Sequence, residues 1–450
     1  MRGEGRGERG EGFPAPRYAW YVVGVLCLAY VFALLDRQVL SLLVGPMRAD
    51  LGISDTQVSL LQGFSFAVFY TCFGLLLGRL ADTGNRRNLI IGGTTLWSAF
   101  TAACGLAQRY WQLLVLRMGV GVGEAALSPA AYSLLADYFP AEQRATAFSV
   151  YSMGIYVGVG LASVLGGVIV QYSVAGGVAV VPILGAVRPW QLVFLLIGVP
   201  GLLIAALMAT VREPERRGAG EPIPLRAVVD HVRAHLGTFV CLILGISLIS
   251  LANYGAAAWM PSVFMRDHGW SVARAGVFQG LVAGGGGAIG IVGGGWLADR
   301  MERRGGRDAY LRVAAVAALL LLPCGTLYLV MPTGRLAAVA FVPLGIVAAV
   351  PFGVGPAAMQ QLVPPAMRGQ LIALYLFMIN LIGLGVGPTA VALVTDHVFH
   401  DDRAVNLSLF GVAAIAYIGA IALLWRGLPR FAASRDRLAM GGLGDASRSR

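Results

Sequence analysis

GRLADTGNRR, residues 78–87, is answered late in the chain by GWLADRMERR, residues 295–304. In each, a glycine (Gly78, Gly295) is followed four residues on by an aspartate (Asp82, Asp299). Two arginines come four and five residues after that: Arg86 and Arg87 in the first copy, Arg303 and Arg304 in the second. A second pair, PAEQR (140–144) and PPAMR (364–368), recurs in the same order and ends on Arg144 and Arg368. Two matches in order, at similar offsets, indicate a duplicated unit.

What that unit is follows from composition. The chain has 450 residues, 57% hydrophobic and only 13% charged, a balance that fits a polytopic membrane protein and no soluble domain of this length. A spanning helix needs about 20 mostly apolar residues. Twelve segments qualify: 18–44, 57–80, 88–107, 110–138, 143–172, 190–211, 237–262, 273–298, 310–330, 335–362, 367–396 and 405–426. The longest polar interruption, 212–236, divides them six and six. The expected organisation is an N-terminal tail over 1–17, a six-helix bundle over 18–211 and a linker over 212–236. A second six-helix bundle over 237–426 and a C-terminal tail over 427–450 complete it. The fold class is therefore all-α, membrane-embedded, with two pseudo-symmetric bundles.

The net charge of +11 would suggest nucleic acid in a soluble protein. Here the arginines crowd the even-numbered loops, as the positive-inside rule requires, so no nucleic-acid partner is expected and both termini are placed in the cytoplasm. The five cysteines are single and lie in apolar runs, which predicts neither disulfide nor metal site. His231 and His235 sit one turn apart in the linker, but without further ligands nearby they read as a solvated linker helix. The run GGGGAIGIVGGG (284–295) lies in a span and lacks the Lys-Ser/Thr ending of a nucleotide loop, so it reads as tight helix packing. No cofactor is expected.

Two parallel six-helix halves are the architecture of rocking transporters, whose substrate site lies between the halves near the midplane. In that frame Gly78, Asp82, Arg86, Arg87, Gly295, Asp299, Arg303, Arg304, Arg144 and Arg368 form a cytoplasmic gate. Its aspartates pair with arginines across loops, or cap neighbouring helices, when that side closes. The two loops resemble the signature of the major facilitator superfamily, Gly-x-x-x-Asp-Arg-x-Gly-Arg-Arg. Thr83 stands for its basic residue and Asn85 for its second Gly, while the Asp and the Arg pair are intact. The resemblance covers nearly the whole chain and implies the twelve-helix fold and alternating access.

Charged residues deep in a span cost roughly 2.5–3.5 kcal/mol on insertion scales, so they usually face a cavity and have a task. Only Asp36, Arg37, Arg117 and Glu124 lie deep in spans, all in the first half. The second half offers milder polarity, including Tyr254, Tyr375 and Asn380. Arg117 and Glu124 are two helical turns apart on one face, whereas Asp36 and Arg37 point about 100° apart around theirs. Asp36 and Glu124 are expected to exchange protons. Arg37, Arg117, Tyr254, Tyr375 and Asn380 are expected to bind substrate. A protonatable acid beside a fixed cation is a coupling device, because the arginine holds either the carboxylate or an anionic group of the cargo.

LLDRQVLSLL (34–43), DTQVSLLQGFSFAVFY (55–70), RMGVGVGEAALSPAAYSLLADYFP (117–140) and NYGAAAWMP (253–261) resemble the Spinster branch of that superfamily. The resemblance implies transport of sphingoid or lysophospholipid-like amphiphiles. It puts the branch's helix-one Asp-Arg on Asp36 and Arg37, and its helix-four Gly-Glu-Ala on Gly123, Glu124 and Ala125. A charged first half facing an apolar second half suits a cargo with an ionic head and a greasy tail. An organic anion–proton symporter, which carries similar residues, is the alternative. Helix five lacks the Gly-Pro of the antiporter pattern, with Ala162 and Ser163 in its place, which leans against classical drug–proton antiport. A lipid-modifying enzyme would need a nucleophile–base pair or a metal cluster, and no span offers one. A monomeric, proton-coupled transporter of the bacterial inner membrane is therefore expected.

Overall fold

The computed structural model describes residues 14–181, 185–216, 225–364 and 367–448. Twelve long helices follow one another: α1 Pro16–Leu42, α2 Asp55–Thr83, α3 Arg86–Cys104, α4 Tyr110–Tyr138, α5 Ala141–Gly176 and α6 Pro189–Met208 form the first half. The second half is α7 Leu236–Arg266, α8 Val272–Arg303, α9 Ala309–Val330, α10 Gly334–Gln361, α11 Arg368–Phe399 and α12 Val405–Arg448. A two-stranded hairpin, β1 Ala179–Val181 with β2 Gly185–Val187, joins α5 to α6, and a short helix, Leu225–Ala234, precedes α7.

Among the described residues, eleven of these helices are long and apolar enough to cross a membrane by themselves. The twelfth, α3, falls short because it opens on Arg86, Arg87 and Asn88 and carries Thr94, Ser98 and Thr101. Those three hydroxyl residues are at most 1% exposed, so they face other helices instead of lipid. Polar groups on a lipid-shielded face lower a helix's hydropathy without spoiling its role as a span. The last helix runs on through Arg448, well past the apolar stretch that ends near 426.

Within the first half α1 lies along α5, and α3 packs on α4 and α6. Within the second half α7 and α9 lie along α12, and α8 packs on α10. Tyr18 at the start of α1 donates to the Thr210 carbonyl and accepts from the Arg212 amide just after α6. Thr238 at the start of α7 bonds Ser434 of α12. The start of α1 thus meets the end of α6, and the start of α7 meets the extension of α12; this is called the terminal side.

The halves touch through α5 with α8 and α2 with α11, on the opposite side. Glycines make the approach possible. A Cβ on Gly280 would come within 2.4 Å of the Gly160 carbonyl oxygen, and one on Gly63 within 2.5 Å of that of Leu384. Helices α2, α8 and α11 widen by one residue per turn at Leu60–Phe64, Leu281–Gly286 and Asn380–Val386, all at or beside these contacts. Such widened turns re-aim side chains and occur frequently at functional sites. Toward the terminal side the helices diverge, and nothing lies within 4 Å of a Cβ built on Gly78 or Gly295. The halves therefore touch on the far side and part toward the terminal side, leaving an opening between them there.

Candidate functional site: a buried charge quartet below an opening between two bundles

Helix α4 positions the quartet. Pro129 has no N–H to donate to the Ala125 carbonyl, and the helix breaks after Glu124 and resumes at Leu127. Glu124 thus ends a helical segment in mid-span. Small residues bring neighbours close: a Cβ on Gly121 would sit 2.8 Å from the Phe66 carbonyl oxygen, and one on Gly123 would sit 2.6 Å from the Trp97 amide nitrogen. Helices α2 and α3 can approach α4 only because these positions carry no side chain.

The four charges resolve into two pairs between α1 and α4. Arg117 Nη1 lies 2.5 Å from Asp36 Oδ2, and Thr101 Oγ1 donates to Asp36 Oδ1 at 3.0 Å. Both side chains are 1% exposed, so this pair is sealed. Arg37 Nε donates to Glu124 Oε2 at 2.6 Å and its Nη2 lies 2.5 Å away. Here the arginine side chain is 24% exposed while Glu124 is buried, and Glu124 Oε1 has no hydrogen-bond partner. The Arg37 guanidinium is flanked by Phe66 and Tyr70, at 4.5 and 4.7 Å from the ring centroids. Cation–π contact of this kind holds a guanidinium where no second anion is present. Tyr30 and Tyr254 lie within its electrostatic reach.

The geometry therefore separates residues that look equivalent in sequence. Asp36 and Arg117 form a closed pair, each 1% exposed, whereas in the other pair the Arg37 side chain keeps 24% of its surface exposed. Tyr254 of the second half stands near Arg37 and against Phe352, with ring centroids 6.5 Å apart. Tyr375 does not join them. It is 1% exposed, its hydroxyl is unpartnered, and it packs against Gly355 and Ile246 in the core of the second half. Asn380 is half-buried in the widened turn of α11 and donates to the Leu376 carbonyl one turn back. The aromatic wall of Tyr30, Phe66, Tyr70, Tyr132 and Tyr151 does not stand out from the sequence. Phe66 and Tyr70, one turn apart with the Arg37 guanidinium against both, carry the best available signal, a helical i,i+4 aromatic pair.

Beyond Phe352 lies an apolar cavity of about 190 Å³ between α5, α7, α8 and α10. Tyr156, Ala257, Val282, Phe341 and Ala348 contribute to its wall, and Gln279, 4% exposed, brings an Oε1 without a partner.

At the signature loops, Arg86 is committed within the first half. It binds Asp137 of α4, Glu213 after α6 (2.7 Å) and the carbonyls of Ser133 and Pro214. Arg87 donates to the Ala209 carbonyl and its amide to Glu213. Arg216 clamps the end of α2 through the carbonyls of Ala81, Asp82 and Gly84, while the Asp82 side chain is exposed. In the second half Asp299 accepts from Tyr310 at 2.5 Å. Arg303, Arg304 and Arg368 are exposed, and Arg144 is half-buried with Nε unpartnered. No ion pair crosses between halves here among the described residues.

On the opposite side a cross-half network does exist, and nothing in the sequence points to it. Ser54 caps α2 in a reciprocal box with Gln57, which sets Asp55 at the helix start. Asp55, fully buried, receives both Nη atoms of Arg266 at the end of α7 (2.7 and 2.8 Å) and Arg48 at 3.1 Å. Arg48 also binds Asp402, and the Thr56 amide donates to Asp396 at 2.7 Å. Arg48, Asp55 and Thr56 belong to the first half; Arg266, Asp396 and Asp402 belong to the second. No local pattern links residues 211 positions apart.

Twelve helices in two bundles, joined on one side, open on the other and charged at the middle, define a secondary transporter of the rocking class. The chain belongs to the Major Facilitator Superfamily, which it matches over residues 26–388. Within it the chain falls in the Spinster-like branch. It superposes on a bacterial homologue of the human lysosomal transporter Spinster in an inward-facing, occupied conformation. The TM-score is 0.74 at 27% identity, covering 95% of this chain and 98% of that one. An MFS-type efflux pump of Mycolicibacterium smegmatis is 32% identical over 418 residues, 90% of this chain and 92% of the pump. Protein spinster homolog 1 of Bos taurus is 29% identical over 259 residues, and this chain spans 46% of its length. The relatives and the fold are those of transporters, not enzymes.

Proposed function

We propose that this protein is a proton-coupled transporter of an amphiphile with an anionic head, working by alternating access as a monomer in a bacterial inner membrane. The observation that carries the reading is the asymmetry of the two pairs. Of four buried charges only Arg37 reaches the opening, and it is held by a buried carboxylate. Glu124 and an anionic head compete for the same guanidinium. Protonating Glu124 frees Arg37 for the cargo, and binding of the cargo in turn favours the protonated acid. Asp36 takes a different part from the proton exchange that its sequence position suggests: sealed against Arg117, it anchors α1 to α4 and keeps Arg37 aimed. The apolar cavity next to Tyr254 and Phe352 takes part of the greasy tail.

The arginine-rich loops lie on the terminal side, which the positive-inside rule assigns to the cytoplasm. On that assignment the conformation is inward-open, latched at the far side by Asp55 and Arg266. Asp82, Asp299, Arg144, Arg303, Arg304 and Arg368 stand apart as parts of an open gate that engages when the cytoplasmic side closes. Arg86 and Arg87 brace the loop within its own half. A proton driven across the membrane supplies about 2.3 kcal/mol per 100 mV. In proteoliposomes, substrate addition should drive proton flux in the wild type. Glu124→Gln should abolish that flux while retaining substrate binding. Undiminished flux in Glu124→Gln would remove the proposal. Organic anions without a tail are the second cargo class; their transport at rates equal to those of lysolipids would favour the symporter reading.

A further inference from the structure

On the terminal side, away from the opening between the halves, a cavity of about 460 Å³ lies where the start of α7 meets the extension of α12. Its wall includes Arg233, His235, Leu236, Arg430 and Arg437, and no carboxylate contributes to it. The nearest acid on the same element, Asp230, is 59% exposed and meets Arg233 only at 3.9 Å. Asp436 is engaged with Arg307, and Arg435 turns away to Glu302 and the Arg307 carbonyl. Arg430 finds only Cys241 Sγ at 3.4 Å, and Arg437 only the Ala433 carbonyl. Among the described residues, three guanidinium groups thus line one cavity without a carboxylate in its wall.

Two further features point to a bound anion. The cavity sits at the N-terminus of a 31-residue helix, where the first amides and the macrodipole favour negative charge. His235, the residue before that helix, is only 9% exposed, and its Nδ1 has no hydrogen-bond partner. Its neighbour His231 is satisfied by the Leu362 carbonyl at 2.8 Å, so the linker histidines are packed onto the second half, contrary to the solvated helix expected from sequence. Burial and the charges of His231 and Arg437 hold the His235 imidazole below its ordinary pKa, so at neutral pH the ring is uncharged and adds hydrogen bonding rather than charge.

The apolar surroundings say what kind of anion. Leu236, 53% exposed, is part of the wall, and Val240 lies one turn further along the same face of α7. Trp425, 45% exposed, lies one turn from Pro429 on α12. An arginine cluster continued by an outward-facing apolar stripe with an interfacial tryptophan matches a lipid with an anionic head and its chains along the helices.

We propose that this cavity is a binding site for the phosphate headgroup of an anionic phospholipid of the surrounding leaflet, held by Arg233, Arg430 and Arg437 against the start of α7. The site is separate from the transport pathway and does not depend on the cargo assigned above.

The test is native mass spectrometry of the full-length protein in detergent, titrated separately with phosphatidylglycerol, phosphatidylcholine and inorganic phosphate. Phosphatidylglycerol should bind at least tenfold more tightly than phosphatidylcholine. The double variant Arg430→Gln, Arg437→Gln should lose roughly thirtyfold in phosphatidylglycerol affinity, the combined loss of two arginine–headgroup attractions. Its melting temperature without lipid should match the wild type. If the double variant misfolds, Arg430→Lys with Arg437→Lys keeps the charge and should retain most of the preference for phosphatidylglycerol. Equal binding of the two lipids, an unchanged affinity in a folded double variant, or inorganic phosphate binding as tightly as the lipid would each overturn the proposal.

Discussion

Removing one member of the sealed pair should unfold the first half, and removing both should not. Asp36 and Arg117 are 2.5 Å apart and each 1% exposed, and Arg117 Nε has no hydrogen-bond partner. In Asp36→Leu the guanidinium is left uncompensated among apolar helices, with the Phe66 ring 5.8 Å away as its aromatic neighbour. Breaking a buried pair in this way costs about 3–5 kcal/mol, whereas replacing both partners by apolar residues of similar size is often neutral or stabilising. Arg117→Met should be as harmful as Asp36→Leu, and the double variant should recover nearly all of the loss. The coupling between the sites should therefore be about as large as the two single effects added together. The outer pair should behave differently: Glu124→Gln should destabilise clearly less, because water already reaches Arg37. The assay is unfolding in mixed micelles by titration with a denaturing detergent, followed through tryptophan fluorescence, beside proton-flux measurements on the same variants. A double variant as unstable as its parents would refute the anchoring argument. So would a stable double variant that loses proton coupling while binding cargo, since Asp36 would then be a proton carrier.

Four more consequences can be checked directly. Arg266→Gln removes two charge-assisted hydrogen bonds to buried Asp55, and at about 1.5–3 kcal/mol for such a bond the balance between the two access states should shift roughly tenfold or more. Spin-label distances between the far ends of α2 and α11 should lengthen, and unchanged distances would show that the network is not a latch. Gly280→Val should oppose the approach of α8 to α5, where even a Cβ would meet the Gly160 carbonyl at 2.4 Å, and should lower transport without affecting Arg37. Ala257→Phe should fill the apolar cavity and raise the KM for long-chain cargo more than for short; equal effects on both would remove the cavity from the pathway. Arg37→Lys should keep the charge but lose the two-nitrogen contact to Glu124 Oε2 and the packing on Phe66 and Tyr70, with about a tenfold or greater fall in affinity for anionic cargo. Cargo affinity equal to wild type in that variant would show that the guanidinium's shape is immaterial.

Much of the architecture is legible without coordinates, because lipid imposes a length and an apolarity that composition displays directly. The two copies of Gly-x-x-x-Asp with paired arginines disclose the duplication, and the polar stretch after residue 211 divides the halves. Helix α3 shows the limit of that reading: its buried hydroxyls depress its hydropathy, and only its neighbours reveal that they never meet lipid. The charge quartet is equally visible in sequence, since ionised residues in apolar runs must either pair with one another or border water. Which acid pairs with which arginine is not. Asp36 and Arg37 are adjacent, and their division into a sealed pair and an open one arises from helix rotation and from the break that Pro129 causes after Glu124. Tyr375 illustrates the same gap, because a polar ring in a span can equally face a cavity or a core.

By itself, then, the sequence determines the membrane fold, the twofold repeat and the concentration of charge in the first half, for these depend on composition and local spacing. The tertiary structure alone decides the pairing of Asp55 with Arg266, the side on which the halves touch and the exposure of Arg37. Each of these depends on contacts between helices far apart in the chain, and no periodicity along a chain encodes which surfaces two packed bundles will share.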